Sequence, residues 1–82
     1  KNILARHELY VAIYYARIGS YIGSINRTQF IIKNYPNSSS ISNSLHLMAY
    51  NYDQLNATKL ASDTRKILSS SYPNYSKNYS ID

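Results

Sequence analysis

The sequence predicts an all-α protein built from two stacked helix hairpins, and three observations carry that prediction. Four stretches set apolar residues at helical intervals and contain no proline. The triplet Tyr-Pro-Asn occurs twice, with Tyr35 and Tyr72 standing 37 positions apart. Small and turn-forming residues recur at the same interval, Ala12 with Ala49, Gly19 with Asn56 and Ser24 with Ala61. Self-similarity at a period of roughly 20 to 50 residues marks a repeat architecture.

The first helix is expected over about 3–18. Its segment ILARHELYVAIYYARI is apolar on most sides between Leu9 and Ala16 and runs unbroken to Gly19. It reads as a well-buried helix with Tyr10, Tyr14 and Tyr15 in the core. The second, 21–35, puts Tyr21, Ile25 and Ile32 on one face and Arg27 on roughly the opposite one, until Pro36 removes the next amide donor. The third, 41–55, has the cleanest stripe: Ile41, Leu45, Met48, Tyr52 and Leu55 follow the intervals of an amphipathic helix. The fourth, 57–72, turns Leu60, Ala61, Thr64, Ile67 and Leu68 inward, while Lys59, Asp63 and Lys66 pair outward. Pro73 ends it as Pro36 ended the second.

Gly19 and Asn56 sit where each first helix must reverse, and both residue types tolerate the left-handed backbone that closes a helix C-terminus. A small residue, then Tyr three places on, a small residue early in the second helix and Pro after its end resemble the tetratricopeptide pattern. Ala12, Tyr15, Ser24, Tyr35 and Pro36 supply it in the first unit; Ala49, Tyr52, Ala61, Tyr72 and Pro73 supply it in the second. The unit is slightly long and tryptophan is absent. The expected organisation is a repeat at 1–38, another at 39–75 and a tail at 76–82, together a fragment of an α-solenoid; an unrelated four-helix bundle is the alternative. In the tail region, Tyr75 and Tyr79 could cover a repeat face, although a solvated terminus is the commoner outcome.

Composition narrows the function. At 82 residues one domain is the limit. The absence of cysteine excludes disulfides, thiolate metal sites and cysteine nucleophiles. HELYV begins like a zinc-protease motif, but Val11 stands where the second histidine must be. His46 is too distant in sequence to be paired with His7, and the acids Glu8, Asp53, Asp63 and Asp82 form no close catalytic pair. The serine clusters lack a nucleophile elbow. No cofactor, metal or enzyme activity is expected. A net charge of +5 and a pI near 9.6 would favour acidic partners, yet Lys and Arg are scattered without a dense run. A nucleic-acid surface would rest on Arg6, Arg17, Arg27 and Lys33 interleaved with tyrosines, and those tyrosines are more economically core residues. Nothing at Lys1 resembles a signal peptide or an initiating methionine, so the chain is expected to start inside a longer protein.

The stretch from Glu8 to Ser38, with its YVA-x-YY block, G-x-Y, NR and NYP-x-S, resembles the C-terminal region of the BamD family, the outer-membrane lipoproteins of the bacterial β-barrel assembly machinery. The likeness continues from Ser44 to Pro73. It implies a non-enzymatic scaffold on the periplasmic side of the outer membrane, with about five tetratricopeptide units of which this chain resembles the final two. It also implies docking on the POTRA portion of BamA and a part in holding BamC. The family's lipid anchor is attached through a lipobox cysteine that this chain lacks, so the piece itself is expected to be soluble. The arginine of the family's NR pair contributes to the BamA contact and matches Arg27; Asn26, Arg17 and Lys33 are named as its neighbours. Another tetratricopeptide adaptor, holding an extended peptide in its concave groove, is the main alternative, ahead of a basic nucleic-acid-binding module and an enzyme. An array that begins at Lys1 lacks a neighbour over its first helix, so Leu4 and Val11 are expected to promote self-association.

Overall fold

The computed structural model describes residues 2–81, so Lys1 and Asp82, the outer limits of the expected first repeat and tail, lie outside it. Four helices follow one another: α1 (Asn2–Arg17), α2 (Tyr21–Asn34), α3 (Ile41–Gln54) and α4 (Thr58–Ser71). No strand occurs among the described residues. α1 packs on α2, α3 packs on α4, and α2 and α3 join the two hairpins, with α3 also touching α1.

The two reversals are the same structure built twice. Gly19 has φ +81° and Asn56 φ +60°. At each, the amide of the left-handed residue donates to a carbonyl three back, Gly19 to Ala16 at 3.1 Å and Asn56 to Asp53 at 3.0 Å. The following amide donates five back, Ser20 to Tyr15 and Ala57 to Tyr52, both at 2.8 Å. This paired pattern satisfies carbonyls that a helix end would otherwise leave open. The exits match as well: Tyr35 (φ −131°, ψ 55°) and Tyr72 (φ −134°, ψ 67°) leave the α region, as residues before proline must.

Small residues let the paired helices close up. Ala12, Ala49, Ser24 and Ala61 are all 2% exposed or less. Ser24 uses that closeness: its hydroxyl donates to the Ala12 carbonyl at 2.7 Å and accepts from Asn51 Nδ2 at 2.8 Å, tying α1, α2 and α3 at one buried point. Ala5, Leu9, Ala12, Ile13 and Ala16 of α1 form the core with Ile31, Ile41, Leu45, Leu47 and Leu68.

Burial departs from expectation on α1 and on α4. Tyr10 and Tyr14, expected in the core, are 61% and 56% exposed, because among the described residues α1 packs against helices on one side only. Leu60 and Ile67, expected on the inward face of α4, are exposed for the corresponding reason: α4 packs on α3, and that contact covers the strip Ala61, Thr64 and Leu68. Leu55, the last residue of the α3 stripe, is also exposed. α3, with helices on several sides, buries more than its stripe, adding Ser44, Leu47, Ala49 and Asn51. On α2 the covered line is Ser24, Ile25, Thr28 and Ile31, with Tyr21 and Ile32 half-buried.

The tail is laid back on the molecule. Tyr75, Tyr79 and Ile81 pack against the core cluster. The two tyrosine rings and the Ile81 side chain offset the cost of ordering this segment by covering apolar surface.

Candidate functional site

The NR pair lies midway along α2, and the helix period decides what surrounds it. Asn26, Phe30 and Lys33 occupy successive turns of one stripe, all exposed. Arg27 lies beside that stripe, turned toward α1. Its Nη1 donates to Glu8 Oε1 at 2.5 Å, with the arginine side chain 40% exposed and the glutamate 20%. The pair therefore bridges the first hairpin at its solvent edge. Arg27, expected roughly opposite the apolar face of α2, is half-exposed, and Glu8 on the facing flank of α1 draws the guanidinium in. The hydrogen bond that Arg27 donates to Glu8 raises the Arg27 pKa above its ordinary value, against a smaller lowering by desolvation. The charge is permanent at any physiological pH.

Glu8, Asn26, Arg27 and Phe30 line a shallow cleft of about 270 Å³. The Phe30 ring meets Tyr35 edge-on at 6.1 Å, which fixes it at the rim. Chemically the cleft offers a half-exposed guanidinium with donors to spare, an amide and an aromatic face. That combination suits a protein surface presenting a carboxylate beside an apolar group. Sequence reasoning missed Glu8 and Phe30. Phe30 was legible as an apolar residue on the same stripe as Asn26 and Lys33; Glu8 carried no such signal, because the pair spans two helices.

Arg17 does not join this group. It is nine residues from Glu8 on the same helix, about 180° around its axis. Its Nη2 donates to the Ser80 carbonyl of the tail at 2.6 Å. A second ion pair, Arg65 with Asp53, joins α4 to α3 and holds the Asp53 carboxyl below its ordinary pKa. Lys59 and Asp63 pair within α4 at 3.0 Å. Among the described residues, no three His, Asp or Glu side chains gather where they could hold a metal ion. None of the described helices is long and apolar enough to cross a membrane.

Comparison with known proteins bears on this surface. Residues 1–68 match the YfiO family, described as an outer membrane lipoprotein. The chain is 39% identical over 72 residues to the outer membrane protein assembly factor BamD of Neisseria meningitidis serogroup B, covering 88% of this chain and 27% of that protein. It is 38% identical over 68 residues to the BamD of Haemophilus influenzae, covering 83% of this chain and 26% of that protein. The BamD of Vibrio cholerae is 35% identical over 68 residues, 83% of this chain and 28% of its own length. The chain thus spans about a quarter of the length of these curated relatives. With four helices in two matched hairpins and a match over residues 1–68, the chain belongs to the YfiO (BamD) family of outer membrane lipoproteins.

Proposed function

We propose that this chain is a non-enzymatic scaffold module for outer-membrane protein assembly, acting at the periplasmic side of the outer membrane. Its partner is the POTRA region of BamA, reached through the edge of the first hairpin, with BamC as a further partner. Membership of the family carries this proposal, since the matched relatives are named outer membrane protein assembly factors. The edge supports it physically: Arg27 keeps donors free beyond its bond to Glu8, and Asn26, Phe30 and Lys33 present polar, aromatic and cationic groups beside it. Arginine and aromatic residues dominate interface energetics, and a rim of neutral contacts around them excludes water.

The test separates a contact residue from a merely structural pair. Arg27→Glu should weaken binding to the cognate POTRA region on the order of tenfold, the scale of one interface arginine. It also places two carboxylates together, so the exchanged pair Glu8→Arg with Arg27→Glu is measured beside it. That double variant restores the attraction between α1 and α2 but leaves a carboxylate where the partner met a guanidinium. Binding that stays weak in the double variant supports the contact. Full recovery, or no loss in the single variant, removes Arg27 from the interface.

A further inference from the structure

We infer that the face shared by α1 and α3 is a groove for an extended segment carrying two tyrosines four residues apart, and that residues 75–81 of the chain occupy it as an exchangeable strap. The proposal is independent of the POTRA contact, which uses the opposite flank of α1.

The groove is built from equivalent positions of the two repeats. Arg6, Leu9 and Ile13 of α1 correspond, 37 positions on, to Asn43, His46 and Tyr50 of α3. All of these except Tyr50 line or touch the space around the tail, and Tyr50 lies near enough to act electrostatically on Tyr79. The strap itself has no helix or strand of its own beyond Tyr75. Side chains hold it. The Tyr75 hydroxyl donates to Asn43 Oδ1 at 2.6 Å, and Asn43 Nδ2 in turn donates to Asn78 Oδ1 at 2.7 Å. The Tyr79 hydroxyl meets His46 Nδ1 at 2.7 Å. The His46 ring lies against both tyrosines, at 5.5 Å from Tyr75 and 5.7 Å from Tyr79. At the far end Arg17 clamps the Ser80 carbonyl, a main-chain group that any segment would supply.

Recognition therefore divides in two. His46 and Asn43 read the tyrosines, and Arg17 reads backbone. Burial of the two hydroxyls gives this a chemical mark: it pushes Tyr75 up to about 12 and Tyr79 higher still. Beside the strap, a cleft of about 310 Å³ reaches Arg6, Tyr10 and Ile13, so the segment does not fill the face it lies on. The strap is short and extended, packs its apolar side chains on the core cluster, and is held there by side-chain hydrogen bonds and ring contacts rather than by a helix or strand of its own, with room beside it. Tethering replaces affinity: a segment linked this closely has an effective concentration on the order of millimolar. A competing segment in trans must exceed that.

The experiment uses the full chain and a fluorescein-labelled synthetic peptide of residues 73–82, followed by anisotropy. The variant Tyr75→Ala with Tyr79→Ala, shown folded by its helical circular dichroism, frees the groove. It should bind the peptide saturably, and the unaltered chain should bind at least about tenfold more weakly because its own strap competes. The same peptide with Tyr79→Ala should not bind. Equal binding to both chains, or none to the folded variant, overturns the inference. A second measurement needs no protein variant: adding millimolar peptide to the ¹⁵N-labelled unaltered chain should move the Tyr79 and Ser80 amides toward unfolded positions while the helices stay unchanged. Tail amides that do not move overturn the exchange. Arg27→Glu should leave all of these results unaltered, so failure here and failure of the POTRA contact are told apart.

Discussion

Replacing Gly19 by alanine should destabilise the protein by about 1 kcal/mol, and the structure shows why nothing but backbone geometry is involved. Gly19 has φ +81°, and a Cβ built there meets no heavy atom within 4 Å. No clash and no new packing therefore enter. Holding an L-residue with a Cβ in the left-handed region costs roughly 1–2 kcal/mol. Alanine recovers about 0.4–1 kcal/mol by narrowing the unfolded ensemble. The difference is a net loss of about 1 kcal/mol, which in a domain of this size lowers Tm by about 4–8 °C. Asn56, at φ +60° in the same hydrogen-bonded turn, supplies the control within the molecule. Asparagine tolerates this conformation, so Gly19→Asn should lose no more than about 0.5 kcal/mol, while Asn56→Ala should lose about as much as Gly19→Ala. The assay is urea and thermal unfolding followed at 222 nm, with an unchanged m-value to show that only native stability moved. If Gly19→Ala were as harmless as Gly19→Asn, the turn would not depend on the left-handed residue. If alanine were costly at one site and harmless at the other, the two hairpins would not be equivalent.

Ser24→Ala should cost about 1–3 kcal/mol in urea unfolding, because it leaves the Asn51 amide buried without its acceptor; a change under 0.5 kcal/mol would contradict the tie at that point. His46 gives a pH dependence. Burial lowers its pKa, and the cations Lys77 and Arg65 lower it further; Tyr75 and Tyr79 are its other neighbours. A folded pKa below the unfolded value means that the stabilisation is present above about pH 6.5 and is lost as pH falls through the folded pKa. Tm should therefore drop between pH 7.5 and 5 by more in the unaltered chain than in His46→Gln, and equal drops would refute the assignment. Ile3, Leu4, Tyr14, Ile18 and Ile22 leave an apolar face exposed on the first hairpin, so sedimentation velocity should show association rising with concentration. Leu4→Glu with Ile18→Glu should abolish it, and a sedimentation coefficient independent of concentration would rule the association out.

Much of the hairpin architecture was legible because its determinants are local. A left-handed residue at position 19 or 56, a proline at 36 or 73 and a small residue at 12, 24, 49 or 61 each act through backbone chemistry within a few residues. Their recurrence at one interval announces a repeat. Neither the fate of Tyr10, Tyr14, Leu60 and Ile67 nor the partner of Arg27 was legible in the same way. The apolar side chains satisfy a helical pattern equally well covered or bare, and Arg27 meets a glutamate 19 residues away only because two helices pack at one rotation. The docking of Tyr75 and Tyr79 was an open alternative for a similar reason, since a tyrosine in a tail carries no local mark of what it will touch.

The sequence by itself determined four helices, where they turn and that the turns are equivalent, because backbone dihedral preferences and apolar periodicity are properties of neighbouring residues. Only the tertiary structure decided which faces are bare, which charges meet and where the tail lies. Those outcomes depend on how many helices surround each surface and on distances between groups far apart in the chain, which no local preference encodes.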